Sequence, residues 1–300
     1  MEPRSPAKRM EEEEQQQASA IRFKKLHPHE FFRKFLEQGI RPDGREVMNV
    51  RRTRIASGNI GSADGSAVAK IGGTTVACGI KLEVGTPSAL TPNHGRIEVS
   101  LNITPLSSPH HMRKALEYRF SHDKNTEAIA VTIKETILNA QMVHLDELCI
   151  KEGGAVWVLY VDLVCIGFSG NVTDAALLAC AAALKNLKLP KTEVTEDGEV
   201  LIAEGDRKPL TIRRQVVPVS FAILDRKYIV ADPTAEEEEL RQGRLTVVFT
   251  SDGKLCLVQK EGGVPVTKEQ MASCIGVAKA HAQKLLKASD AHQDAKKAAQ

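Results

Sequence analysis

One stretch, residues 155–190, decides most of what this chain can become. It opens as AVWVLYVDLVCI, so rich in Val, Ile, Leu, Trp and Tyr that both faces of an extended strand are apolar, Asp162 excepted. That is the pattern of a central strand covered on both sides. The polar turn Ser169-Gly170-Asn171 follows, and Thr173 and Asp174 then open AALLACAAAL, a run without a polar residue. Thr173 is placed to cap a helix, and Asp174 to sit against the positive end of its dipole. A helix apolar on every side has to be covered on every side. Alanine at 175, 176, 179, 181, 182 and 183 makes it a thin rod that other backbones can approach closely, and Pro190 stops it. The unit is too short and too interrupted to span a bilayer, and it reads as the middle of a globular α+β domain.

A centre of this kind needs a large apolar complement, which 42% of the 300 residues supply. The net charge of +3 permits an acidic polymer as partner without demanding one. With 4% aromatic residues the chain does not look like a single-strand binder built on stacked rings. Cysteines at 78, 149, 165, 180, 256 and 274 are scattered through mostly apolar runs, with no CxxC pair. They read as buried reduced thiols rather than disulfides or zinc ligands.

Along the chain, residues 1–27 hold EEEEQQQ after RSPAKR and little that can be buried, so a disordered tail is expected. It lacks the apolar core of a signal peptide, and RSPAKR reads as a solvated charge cluster ahead of a weak nuclear signal. From His29 to Gln38, Phe31, Phe32, Phe35 and Leu36 fall at helical spacing and Gly39 closes a short docking helix. RPDGR, from Arg41 to Arg45, is a compact turn with an arginine at each end. From Val50 to Leu82 short alternating runs predict strands, with Gly72-Gly73 as a turn and Asp64-Gly65 as a hairpin. A strand is expected from Gly95 to Ile103, then the most basic loop of the chain, 107–125, with Arg113, Lys114, Arg119 and Lys124. Isoleucines at 129, 133 and 137 predict a helix over 126–141. After a polar linker at 191–208 comes a second β-rich block with a hairpin at Ser251-Asp252-Gly253, a last helix over 267–288 and a frayed end at 289–300. Sheet then helix, twice over, predicts two related α+β halves, 28–190 and 209–288, sharing one core.

Catalytic constellations are thin. His110 and His111 are adjacent, so they do not converge easily on one ion, and no carboxylate or thiol set surrounds them. Neither a GxSxG nor a Walker-type loop occurs. The acidic run from Asp232 to Glu239 offers oxygens for a divalent cation, but successive glutamates point in different directions. A turn capped by Asp232, leading into a solvated acidic segment, is the better reading. No metal site and no cofactor are expected.

RPDGR at 41–45, ADGSAVAKIGGTTVACGIK at 63–81, the 155–190 unit and VADPTAEEEEL at 230–240 stand in an order that closely resembles the RNase PH-like subunits of the RNA exosome ring. Within them the chain looks most like a non-catalytic ring subunit. The likeness covers about residues 28–288. It implies an RNase PH fold, two pseudo-symmetric βαβα-type halves around one core, in a hetero-oligomeric six-membered ring with an RNA-conducting channel. It implies related ring subunits, exosome cap proteins and RNA in the channel as partners, with no membrane and no DNA, and a place in the nucleus, nucleolus and cytoplasm.

Active relatives cleave RNA from its 3′ end with inorganic phosphate, which takes a cationic cradle and a carboxyl acid near the leaving oxygen. As the resemblance implies, the family places an arginine after the proline that follows the fourth strand, another at the start of the next helix, and an aspartate before the glycine of the central turn. The matching positions here are Leu106, Asn125 and Ser169, none of which carries charge. Asp174 is explained by capping. No catalytic residue is therefore expected, and the function that follows is RNA processing and degradation by guidance, with Arg113, Lys114 and Arg119 as candidate phosphate contacts. The rival readings are an active phosphate-dependent 3′–5′ exoribonuclease and a free-standing homo-oligomeric RNA binder.

Overall fold

In the computed structural model, which describes residues 21–107, 124–195 and 200–298, the chain builds two large sheets, with helices between them and outside one of them, and a separate two-stranded ribbon. Helix α1 (Pro28–Glu37) leads to strands β1 (Thr53–Ser57), β2 (Gly65–Ile71), β3 (Thr74–Gly85) and β4 (Arg96–Ile103). Helix α2 (Lys124–Asn139), β5 (Cys149–Lys151), β6 (Ala155–Gly167) and helix α3 (Val172–Asn186) complete the first half. Its sheet runs β1-β2-β3-β6-β4, with β4 parallel to β6 and the short β5 paired to the start of β6. After β7 (Lys188–Val194) and β8 (Val200–Pro209) come β9 (Val216–Leu224), β10 (Tyr228–Ala231), helix α4 (Ala235–Leu240), β11 (Gly243–Thr250), β12 (Leu255–Gly262) and helix α5 (Lys268–Ala298). The second sheet runs β10-β9-β11-β12, antiparallel throughout.

The apolar rod is where the sequence places it, and the reason is now visible. Helix α3 lies between the sheets, against β2 and β3 on one side and β9 on the other, and is buried along nearly its whole length. Its alanines let the first sheet close on it. A Cβ added at Gly65 would meet the Ala183 carbonyl oxygen at 2.9 Å, so that glycine serves packing. It is not the hairpin turn expected of Asp64-Gly65. Residues 58–64 form a loop, pinned where Asp64 accepts from the Leu82 amide, and the true two-residue turn is Gly72-Gly73.

Five other expectations change. Strand β6 is central but covered on one face from Leu159 onward: Leu159, Val161, Leu163 and Cys165 are buried while Tyr160, Asp162 and Ile166 are exposed. The strands buried on both faces are β9 and β11, of which β9 packs against both α3 and α5 and β11 against α5. Pro190 does not end α3, which stops at Asn186, and the polar stretch 191–208 is largely a two-stranded ribbon of β7 and β8 rather than a structureless linker. Residues 21–26 are helical, and α5 continues to Ala298.

The first described residues pack on the second half. Phe32 and Leu36 of α1 are buried, Leu36 against Ala222, Leu224 and Val230, while Met48 and Val50 pack on the core of the second sheet. The backbone crosses to the first sheet only at Arg51. Cys78, Cys165, Cys180 and Cys274 are buried, and burial pushes the Cys165 thiol up to about 11, in keeping with inert reduced thiols.

Because α3 is wedged between two sheets, it has no room to grow. Ala179→Leu is expected to lower unfolding stability by about 1–3 kcal/mol, seen as an earlier urea midpoint at unchanged slope. An unchanged midpoint would contradict the wedge.

Candidate functional site

The turn after β6 is the place to look for chemistry, since it starts a buried helix at the boundary of both halves. Gly170 (φ 85°) and Asn171 (φ 59°) take left-handed backbone conformations. A Cβ on Gly170 would lie 2.4 Å from the Ala235 amide nitrogen, so only glycine lets this turn touch the loop ahead of α4. Thr74 fastens it from β3: its hydroxyl donates to the Gly170 carbonyl at 2.5 Å and accepts from the Ser169 amide at 3.1 Å.

Arg51 binds the turn to the second half. Its guanidinium donates to the carbonyls of Ser169 (2.8 Å) and Gly170 (3.1 Å), and from Nε and Nη2 to both carboxylate oxygens of Asp232 at 2.7 and 2.8 Å. The Asp232 carboxylate is fully buried and also accepts from the Arg51 amide at 2.9 Å and from Asn171 Nδ2 at 2.7 Å. Arg45 lies 3.3 Å from it. Burial pushes the pKa of Asp232 up, but the bonds from Arg51 and Asn171 outweigh it and hold the group below the usual carboxylate range. Asp232 therefore does not cap the following segment. Thr234 and Glu237 do, through a capping box, and the segment is not wholly solvated: Glu237 is 1% exposed and forms a two-bonded ion pair with Arg41, itself 1% exposed.

Asp174 is a strap, not a cap. Its carboxylate accepts from the Ser220 amide (2.8 Å) and hydroxyl (2.6 Å) on β9, and from Asn171 Nδ2 at 2.8 Å. Ser220 in turn is 3.0 Å from the Thr246 hydroxyl. Burial raises the pKa of Asp174 despite the bonds from Ser220 and Asn171, and burial likewise raises that of Glu238 against Arg244 and Arg241. Thr173 sits inside the first turn of α3, and its hydroxyl finds no hydrogen-bond partner among the described residues.

Of the positions singled out from the sequence, Leu106 lies in a short 3-10 turn (Pro105–Ser107) after β4 and is 86% exposed. Ser169 is half-buried and lines a cleft of about 360 Å3 with Lys24, Phe32 and Thr234. Asn125 falls in the first turn of α2. Arg113, Lys114 and Arg119, with His110 and His111, lie outside the described residues. Among the described residues no group of three His, Cys, Asp or Glu side chains could hold a metal ion. What reading the sequence missed is the pairing of Arg51 with Asp232 and of Asp174 with Ser220. Only the Thr234-to-Glu237 spacing was visible as a signal, because a capping box is local and the other bonds join residues far apart in the chain.

Two family models match this chain: the first domain of the 3′ exoribonuclease family over residues 49–190 and the second over residues 214–281. The chain is 34% identical over 261 residues to the exosome complex component rrp43 of Schizosaccharomyces pombe, spanning 86% of this chain and 93% of that protein. It is 35% identical over 238 residues to the exosome complex component Rrp42 of Methanothermobacter thermautotrophicus, spanning 79% and 85%. In three dimensions it is similar to a chain of the Archaeoglobus fulgidus exosome with RNA bound to the active site, with a TM-score of 0.75 and 30% identity over 86% of this chain and 96% of that one. The first domain model begins at residue 49, two residues before the crossover at Arg51.

Arg51→Met takes from buried Asp232 its two-bonded cation and leaves only the longer contact to Arg45, and is expected to cost about 3 kcal/mol at pH 7. The folded-state pKa of Asp232 is depressed, so its contribution is full above the unfolded value, about 4, and is lost as pH falls through the folded value. The deficit of the variant should therefore shrink as pH drops below about 4, measured by denaturant titration across pH. A deficit that stays constant would show that the ion pair is not its source.

Proposed function

We propose that this chain, which belongs to the 3′ exoribonuclease (RNase PH) family, is a ring subunit of an RNA exosome that supports 3′–5′ RNA processing and degradation without performing phosphorolysis itself. The observation that carries this reading is the state of the carboxylates at the central turn. Phosphorolysis needs an acid that can reach the leaving oxygen and cations free to hold phosphate. Asp174 is buried and strapped to Ser220, Asp232 is neutralised by Arg51, and Ser169 supplies a hydroxyl where the family resemblance implies a carboxyl group. Leu106 adds an exposed apolar side chain where that resemblance implies a guanidinium.

On the same reading its partners are related RNase PH-like subunits on either side, cap proteins on one surface of the ring, and RNA in the channel, in nucleus, nucleolus and cytoplasm. Arg113, Lys114 and Arg119 are its proposed contacts to RNA, made to phosphates and so indifferent to sequence.

Two measurements test this. The purified full chain, given 3′-labelled RNA and inorganic phosphate, should release no nucleoside diphosphate. Phosphate-dependent release that Asp174→Asn abolishes would make the chain an enzyme and overturn the proposal. In an assembled ring, changing Arg113, Lys114 and Arg119 together to Ala should weaken RNA binding about equally for all sequences and reduce the salt slope by about 2. An unchanged slope would remove these three residues from the RNA path.

A further inference from the structure

The helix that begins at residue 21 does not run on into α1. Residues 21–26 are helical, His27 leaves the helix (φ -132°, ψ 62°), and α1 starts at Pro28. Proline brings no backbone N–H to continue the ladder and disfavours the helical conformation of the residue before it, so a joint at His27 is written into the sequence. The two sides of that joint are held very differently. Helix α1 buries Phe32 and Leu36 and is pinned by Arg33, which donates to Asp225 at 2.6 Å. Segment 21–26 has no buried side chain.

What holds the segment is a small set of surface contacts. Lys24 pairs with Glu236 of α4 at 2.6 Å, the two side chains being 35% and 55% exposed, and its ammonium stands 5.8 Å from the centre of the Phe31 ring. Phe23 lies beneath Lys34, whose ammonium is 4.6 Å from its ring centre. Such contacts are weak where water still reaches them, and salt screens the ion pair. A segment without a buried apolar anchor belongs to the part of a structure that opens locally while the core stays folded.

The position of the segment gives that opening a consequence. Lys24 lines the cleft of about 360 Å3 beside the central turn, together with Pro42, Asp43, Ser169, Thr234 and Glu236. The group held at this cleft is therefore the chain's own lysine, on a carboxylate that itself lines it.

We propose that residues 21–26 are a strap, hinged at His27 and Pro28, that closes the cleft beside Ser169, with the ion pair of Lys24 and Glu236 as its latch. Whatever is to reach Ser169 must first displace Lys24 from Glu236, so the chain competes with any ligand for its own central turn. The strap works in the same way whether or not that turn is catalytically silent.

The full chain carrying Ser169→Cys reports on the strap through the rate at which iodoacetamide alkylates the new thiol, followed by mass spectrometry on the peptide that contains it. Lys24→Glu and Glu236→Lys are each expected to raise that rate about fivefold, and the two together, which restore an opposite pair, to bring it back close to the starting value. Salt at about 0.5 M should speed alkylation with the native latch. Cys274, buried in the core of the second sheet, is the control, and its alkylation should not change. In the chain without the new thiol, amide hydrogen exchange over residues 21–27 should rise with Lys24→Glu and fall again in the exchanged pair. A rate indifferent to both reversals, a rise that the exchanged pair does not undo, an equal rise at Cys274, or amide exchange unmoved by Lys24→Glu would overturn the proposal.

Discussion

The ion pair between Arg51 and Asp232 is the contact on which the arrangement of the two halves rests. Arg51 is the residue at which the backbone leaves the second half for the first, and its guanidinium holds two carbonyls of the central turn on one side and a fully buried carboxylate on the other. Two charges taken out of water lose several kcal/mol of solvation each, and the pair is tolerable only because the remaining donors and acceptors are also met. Asn171 and the Arg51 amide meet them for Asp232. Such a joint is better at fixing one geometry than at adding net stability. Two apolar residues of the same shape would hold the halves together but would not specify the turn.

That geometry has a functional consequence. Around the turn two buried cation–carboxylate pairs are matched, Arg41 with Glu237 and Arg51 with Asp232, with Arg45 bonded to Asp43 beside them, while Arg244, buried next to Ser220, keeps its Nε without a hydrogen-bond partner among the described residues. A phosphate arriving here would bring further negative charge and find Arg41, Arg45 and Arg51 already committed. To use Arg51 it would have to displace Asp232, leaving that buried carboxylate with Arg45 as its only cation, a costly outcome for a buried pair. On the proposed reading, the scaffold of the family is kept while these charges are spent on holding the fold.

How much of this was legible in the sequence follows from the range of the interactions. The all-apolar helix 172–186 was legible because its burial is written into consecutive residues, and so was the Ile133 and Ile137 stripe that packs α2 on the first sheet. Strand β6 was misjudged because an apolar strand in a sheet covered on one face resembles one covered on both: Tyr160 and Ile166 are apolar in composition yet lie on the open face. The ribbon 188–209 was taken partly for a linker because its residues are polar, and a two-stranded ribbon outside the core has little to bury. The roles of Asp174 and Asp232 were out of reach, since their partners Ser220 and Arg51 are separated from them by 46 and 181 positions. A carboxylate in the first turn of a helix looks like a cap until its partner across the core is known.

The central idea, that the charges at the turn are already spent on one another, can be tested without turnover or mutation. Inorganic phosphate titrated into the purified full chain near neutral pH, followed by calorimetry and by the phosphorus resonance, should give no saturable heat and no bound signal up to millimolar concentration. Saturable binding of phosphate, displaced by sulfate, would show free cations in the site and contradict it.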